Sequence, residues 1–432
     1  MGQYERADHR RASVEVKKIP SARRSVLSVF RPRPLAADGF IPYAAICRRL
    51  VSLAPCRVLF PPAFLMSNTL SPVSARAASK RTLSSLVLPL LVFLTHCFPE
   101  GAGLAKTTAA ADESAVDWVR VNDKAAWQPR DSCAEMTFGG RMWIMGGWFD
   151  SYSEPPADVW SSADGKTWDK VAAKAPWKHS DLPMSLTFRD RMWVMGGWHN
   201  GRLPDASASS EVWSTTDGVE WTQDSKAAGW SPRLAAGSTV FKDRMWILGG
   251  IEKYYFGNGT DLRNDVWSSA DGKTWERATE NAGWSPRAYH QAVALGGKLY
   301  VMGGGNYVPE YHAKNDVWSS EDGVTWTQLT DKAPWSPRLW HSAVAYRDRL
   351  WVIGGWSNNP HRNWNDVWHS ADGKTWEKLE TKTIWKERHE HSVYVHDDAI
   401  WVAAGHAQPL SNEVWKLQLP KDWPAATQAK SP

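Results

Sequence analysis

A closed ring of six four-stranded antiparallel blades, an all-β propeller, is the fold this sequence predicts, on three observations. All 29 Trp lie at or after Trp118. From there one Trp-rich unit recurs: DVWSSADGKTW from Asp158, EVWSTTDGVEW from Glu211, DVWSSADGKTW from Asp265, DVWSSEDGVTW from Asp316 and DVWHSADGKTW from Asp366, with EVW from Glu413 cut short. The leading Trp of each copy (Trp160, Trp213, Trp267, Trp318, Trp368, Trp415) follows the last at spacings of 53, 54, 51, 50 and 47, the period of a propeller blade.

Each unit reads as four strands. In the fourth, Ala288 to Leu295 is the first strand, Gly296-Gly297 the tight turn, and Lys298 to Met302 an alternating second strand that ends in a Gly pair. The six second strands end at Gly146-Gly147, Gly196-Gly197, Gly249-Gly250, Gly303-Gly304, Gly354-Gly355 and the degenerate Ala404-Gly405. A variable loop follows, then a third strand bearing DVW, an Asp-Gly hairpin such as Asp271-Gly272, and a fourth strand with its own Trp. The last unit lacks a fourth strand, and an orphan VDWVRV from Val116 matches that pattern. Pairing it with the terminal strand around Glu413 to Leu419 closes the ring over residues 116–419 and leaves no long edge exposed.

The chain before this ring is chemically different. Residues 1–65 are rich in Arg, Ala, Ser and Pro without strand or helix period, and read as disordered or as non-native extension. Met66 opens a secretory pattern: Arg76, Lys80 and Arg81, then the apolar Leu83 to Leu94, then Gly103-Leu104-Ala105, with cleavage expected after Ala105. The apolar run is too short for a permanent anchor, so stable membrane insertion is not expected. A periplasmic or extracellular protein follows, with 420–432 as a flexible tail. Residues 1–105 hold 15 Lys and Arg against 5 Asp and Glu of the chain's 51 and 46, so the remainder carries 36 against 41 and is mildly acidic. Nucleic acid is therefore not an expected partner. Three of the four Cys fall in the leader; Cys133 alone remains, so no internal disulfide supports the fold. A monomer is expected.

Function must then be sought among residues the repeat does not require. The second, third and fourth strands and the segment before the first account for 23 Trp; Trp148, Trp198, Trp340, Trp356, Trp364 and Trp423 remain. The loops after second and fourth strands emerge on one face, and five of these six belong to it. That face also receives Arg130, Arg233, Arg287, Arg338 and Arg388, in WQPR, WSPR and WKER; unit two has Ser180 instead. Five guanidiniums near a channel could hold a carboxylate, although their recurrence in register with the structural Trp favours a tie from each blade to the next through backbone carbonyls, and one group can serve both roles. Three residues later come His290, His341 and His391, with Cys133 in unit one, read as channel-lining hydrogen-bonding groups rather than a metal site. The loop Ile251 to Asn264 brings Glu252, Tyr254 and Tyr255, and the next loop Tyr307, Glu310 and Tyr311, rings beside carboxylates that suit a carbohydrate or a protein ligand.

The Gly pair after an apolar strand, followed by a Trp-bearing strand, resembles Kelch and galactose-oxidase-like propellers. SADGKTW resembles the Asp-box hairpin of sialidase propellers, with Ala163, Ala270 and Ala371 where the box has Asp. The six-bladed architecture resembles bacterial N-acetylneuraminate epimerases (mutarotases), which implies Arg to hold a sugar carboxylate and acid/base groups for which Glu252, Glu310, Glu390 and His406 are candidates. Tyr289-His290 is similar to a pair in copper-radical oxidases, but the further Tyr, His and Cys-Tyr crosslink have no assignable counterpart. A secreted binding module for a glycan or protein is the expected function, an acidic-sugar epimerase the alternative, with catalytic residues unassigned and no cofactor expected.

Overall fold

The computed structural model describes residues 116–424; the leader read at 66–105 and the stretch before it lie outside them. Six four-stranded antiparallel sheets form the body. From the axis outward, the first blade is Ala134–Phe138, Arg141–Met145, Val159–Ser162 and Asp169–Ala172. The next four blades start on the inner strands Met184–Phe188, Gly237–Phe241, Gln291–Leu295 and Ser342–Tyr346. The sixth combines Ser392–His396, Ala399–Ala403 and Val414–Gln418 with Asp117–Asn122 as its outer strand. Trp118 lies opposite Leu417 and Arg120 opposite Trp415, so the two ends of the described chain share one sheet and the ring is closed.

The recurrent Trp explain why that closure holds. Six edge-to-face pairs, one per blade, join the Trp before each inner strand to the Trp of the outer strand: Trp127 with Trp168, Trp177 with Trp221, Trp230 with Trp275, Trp284 with Trp326, Trp335 with Trp376, and Trp385 with Trp118, all with ring centroids 5.6 to 6.1 Å apart. Such a pair contributes about 0.5–1.5 kcal/mol beyond area burial. In the sixth blade Trp118 does what Trp168 does in the first, so the N-terminal strand enters by the same contact that builds every other blade.

The Asp-Gly hairpins latch each blade to the one before. Ser162 Oγ accepts from the Gly165 amide at 2.8 Å, and Asp164 Oδ1 accepts from the Lys166 and Thr167 amides at 2.8 and 2.9 Å. The Thr167 and Lys166 amides hold the Asp164 carboxyl below its usual range. The Gly itself is required by its surroundings. Gly272 has φ +75°, and a Cβ there would lie 2.1 Å from the Trp193 ring of the preceding blade. Inner strands are also stitched laterally, by Ser185 Oγ to the Glu135 carbonyl at 3.1 Å and Thr137 Oγ1 to the Val395 carbonyl at 3.1 Å.

Beyond the last strand the chain remains attached as far as described. The Trp423 ring packs 5.2 Å from Trp351, and Arg347 donates to the Pro420 carbonyl at 2.6 Å. No helix among the described residues is long and apolar enough to cross a membrane.

Candidate functional site

The five arginines expected at a ligand are instead part of the blades. Arg130, Arg233, Arg287, Arg338 and Arg388 are at most 1% exposed. Arg287 donates from Nη1 to the Gly303 carbonyl at 2.9 Å, and from Nη1 and Nη2 to the two Asp316 carboxylate oxygens at 2.7 and 2.8 Å. Arg130, Arg233 and Arg338 repeat this fork with Asp158, Asp265 and Asp366, while Arg388 reaches Glu413. Each clamp joins the entry of the inner strand to the Gly pair and the DVW strand of its own blade. The expected alternative, a tie between neighbouring blades, is therefore also corrected. Burial opposes ionisation of these Asp carboxyls, but the guanidinium bonds outweigh it and hold all four below the usual range. A sugar carboxylate would find none of the five guanidiniums free.

Two residues after each Arg position the chain builds a collar around the axis. Ser132, Leu182, Ala235, Tyr289, Trp340 and Glu390 all adopt left-handed backbone, φ 50° to 59°. Each donates its amide to the carbonyl of the preceding member: Leu182 to Ser132, Ala235 to Leu182, Tyr289 to Ala235, Trp340 to Tyr289, Glu390 to Trp340 and Ser132 to Glu390, at 3.0 to 3.2 Å. A non-Gly residue in this conformation costs about 1 kcal/mol or more, so the closed hydrogen-bond ring is what sustains six of them. One residue earlier, Asp131, Asp181, Leu234, Ala288, Leu339 and His389 bridge to Trp148, Trp198, Ile251, Gly305, Trp356 and His406, the residues just past the Gly pairs. The backbone is thus constant around the ring while the side chains differ in every blade.

Those side chains divide the mouth into two halves. Blades three to five supply an aromatic cluster in which Tyr289 and Trp340 lie 4.9 Å apart, Tyr307 and Trp340 5.0 Å, and Tyr254 stacks on Tyr255 at 4.1 Å. Blades six, one and two supply acids. Ser132 Oγ bridges Asp131 Oδ1 at 3.1 Å and Glu390 Oε2 at 2.9 Å, and His406 Nδ1 lies 3.4 Å from Asp131 Oδ2. Asp181, fully buried, has no hydrogen-bond partner on either carboxylate oxygen, and Glu390 Oε1 has none. Burial, reinforced by mutual repulsion, pushes the Asp181 and Glu390 carboxyls well up, and burial does the same to Asp131. Over this edge runs a column of rings, Trp148 on His406 at 6.2 Å, His406 on His389 at 4.9 Å, and His389 beside Trp340 at 5.3 Å.

Below the collar lies an axial cavity of about 230 Å³, lined by Glu135, the collar and the predicted histidines. His290, His341 and His391 are at most 2% exposed, each tilted against the Trp that opens its own blade (Trp284, Trp335, Trp385) at 5.4 to 6.0 Å. The Gly pairs make room for them: a Cβ on Gly303 or Gly354 would stand 2.8 Å from the imidazole of the following blade. Desolvation pushes His290 and His391 down to about 3 and His341 well below its usual value, so all three are neutral. They are shared between blades, and among the described residues no three His, Cys, Asp or Glu are grouped to hold a metal ion. The Glu135 carboxyl is pushed up to about 8 by desolvation.

The remaining predicted residues are redistributed. Trp198, Trp340, Trp356 and Tyr254 are turned inward, at most 7% exposed, because the loops fold over one another; Trp148 and Tyr307 stay half-buried at the mouth. Of the acid/base candidates, Glu390 and His406 meet around Asp131, whereas Glu252 is engaged by Arg263 at 2.8 Å and Glu310 pairs with His312 at 3.1 Å in the open. Asp131 and Asp181 escaped the sequence reading. Their mark was there: units one and two carry an acid directly after the Arg position, where units three to five carry Leu234, Ala288 and Leu339.

Known proteins resemble this chain in parts. The family described as the KLHDC2/KLHL20/DRC7 Kelch-repeats domain matches residues 255–427. The mouse "Rab9 effector protein with kelch motifs" is 34% identical over 116 residues, 26% of this chain and 29% of that protein. The "N-(sulfonatooxy)prop-2-enimidothioate sulfolyase" of Thlaspi arvense is 29% identical over 146 residues, 32% of this chain and 40% of that enzyme. The Drosophila melanogaster "Leucine-zipper-like transcriptional regulator 1 homolog" is 26% identical over 157 residues, 33% of this chain and 15% of that protein. The matched part is well under half the length of each of these relatives.

Proposed function

We propose that this six-bladed β-propeller, which resembles Kelch-repeat proteins over residues 255–427, is a protein-binding module acting through the face that bears the collar and the long loops. One observation carries this reading. Tyr152 and Phe256, 70% and 60% exposed, are the large aromatic side chains most open to solvent among the described residues, and both stand on loops of that face. Exposed aromatics over a buried aromatic base are what a protein interface uses for its anchors. The relative named as an effector of Rab9 is in keeping with a protein partner. Carbohydrate is less favoured, since Trp198, Trp340 and Trp356, which a sugar ring would stack on, are packed inside. A second reading, proton transfer at the mouth, is supported by Asp131, Glu390 and His406 standing together; the acidic-sugar form of it loses its anchor because the five guanidiniums are engaged. On the leader pattern from Met66 we place the protein outside the cytoplasm, with a mature chain starting at Lys106.

The test is selection of peptides from a displayed library on the purified protein, with a glycan array in parallel. Peptide ligands are expected, and Phe256→Ala should weaken them about tenfold or more, the size of one interface anchor, without altering the fold. Binding of glycans alone, or peptide affinities indifferent to both Phe256→Ala and Tyr152→Ala, would reject the reading.

A further inference from the structure

The collar poses an electrostatic problem that the chain does not solve with its own residues. Asp131 and Asp181 are at most 1% exposed and Glu390 is half-buried, yet neither Asp181 nor Glu390 has an ion pair, and Asp131 has only the His406 ring at 3.4 Å. Four carboxylate oxygens, Asp131 Oδ2, both of Asp181 and Glu390 Oε1, lack hydrogen-bond partners. Every Arg near the axis is already spent on a DVW carboxylate, as Arg287 is on Asp316. Buried carboxyls without a cation stay protonated, which is the direction burial drives all three, with repulsion between carboxyls adding to it at Asp181 and Glu390.

A second, independent feature points to the same spot. Tyr289, 3% exposed, has a hydroxyl with no hydrogen-bond partner; it stands on the collar between Ala235 and Trp340, within the aromatic cluster. Tyr289 lines the axial cavity together with Ser132 and Glu390, so this unmet hydroxyl and the Glu390 and Ser132 end of the acid group border one volume. Aromatic faces next to carboxylates receive a cation from two sides, by charge and by the ring quadrupole. The chain already uses this chemistry at the rim, where the Arg202 guanidinium lies 4.2 Å over the Tyr255 ring.

We propose that Asp131, Asp181 and Glu390, with Tyr289, form a cation site that receives the guanidinium or ammonium end of a basic side chain presented by the protein partner. This rests on the protein-binding reading. Entry is from the side of Trp148, His406 and Glu390, the less buried members of the mouth. The other titratable groups around the carboxyls are His406, Tyr254, Tyr255 and Tyr289; burial keeps the three phenols protonated and pushes the His406 imidazole down. Binding displaces protons from the carboxyls, so it is stronger at alkaline than at acid pH.

The experiment is calorimetric titration of the full chain with methylguanidinium chloride and with methylammonium chloride, against the neutral methylurea and against sodium chloride. The expected result is saturable binding of one or both cations, none of methylurea, proton release into the buffer, and weakening by about tenfold or more in Asp181→Asn and Glu390→Gln, the value of a charge-assisted bond. Equal binding of methylurea, no saturable heat with either cation, or cation binding unchanged in Asp181→Asn would overturn the site. Displayed peptides separate the two claims. Peptides that bind without Lys or Arg and ignore Asp181→Asn reject the cation site and leave protein binding standing; methylguanidinium binding without any peptide ligand does the reverse.

Discussion

The Arg position and the collar position, two residues apart in every blade, have opposite characters. At the first, five blades carry the same side chain, four of them forked onto an Asp and the fifth bonded to Glu413, and the donors of Arg287 are met by Ser285, Gly303 and Asp316. At the second, the backbone is the same in all six blades and the side chains are Ser, Leu, Ala, Tyr, Trp and Glu, several with polar atoms unmet. Repetition with full pairing is how the ring holds itself together. Variation on a repeated backbone, with pairing left incomplete, is where a ring of near-identical units becomes specific.

The largest effect should come from breaking a clamp. Arg287→Ala leaves Asp316 and the Gly303 carbonyl unpaired in the interior and should cost about 3–5 kcal/mol in urea unfolding, the range for a buried pair that loses one partner. A loss under about 1 kcal/mol would place Arg287 among the adaptable residues and dissolve the contrast. The hairpin latch should be weaker. Gly272→Ala must shift the Trp193 ring and hold Ala at φ +75°, an expected cost of about 1–3 kcal/mol, read as a lowered Tm.

Much of this was legible in the sequence because it is written in multiple copies. Five Gly pairs with the degenerate Ala404-Gly405, six DVW-like strands and the orphan segment around Trp118 give blade number and closure directly. The Arg role was hard to read, because Glu stands in the acid position both where the Arg is missing (Ser180 with Glu211) and where it is kept (Arg388 with Glu413). The two halves of the clamp also lie 28 to 32 residues apart in the four Asp-bearing units, and nothing local links them. Loop Trp were harder. Trp198 and Trp356 read as loop residues, yet both are core and extended, Trp198 on the short strand Trp198–His199 and Trp356 on a second strand that runs on to Asn358; Tyr254 and Tyr255 pack on the first and Tyr311 on the second, contacts between blades that no period encodes. The collar itself is invisible to pattern reading, as its regularity is in φ and its residues share no chemistry.

The central claim is that the collar acids are held for a ligand at the expense of the fold, and the pH dependence of stability tests it most directly. The Asp181 carboxyl is raised in the folded protein above its value of 3.8 when unfolded, so its favourable contribution is complete at low pH and is lost as pH rises above about 4. Urea unfolding of the parent and of Asp181→Asn should therefore differ little near pH 4, and the variant should gain on the parent as pH rises to about 8, by about 1.4 kcal/mol for each unit the folded carboxyl stays protonated. A variant that loses ground to the parent over that same rise would mean that Asp181 is ionised and paired within the folded chain, and the account of the collar would be wrong.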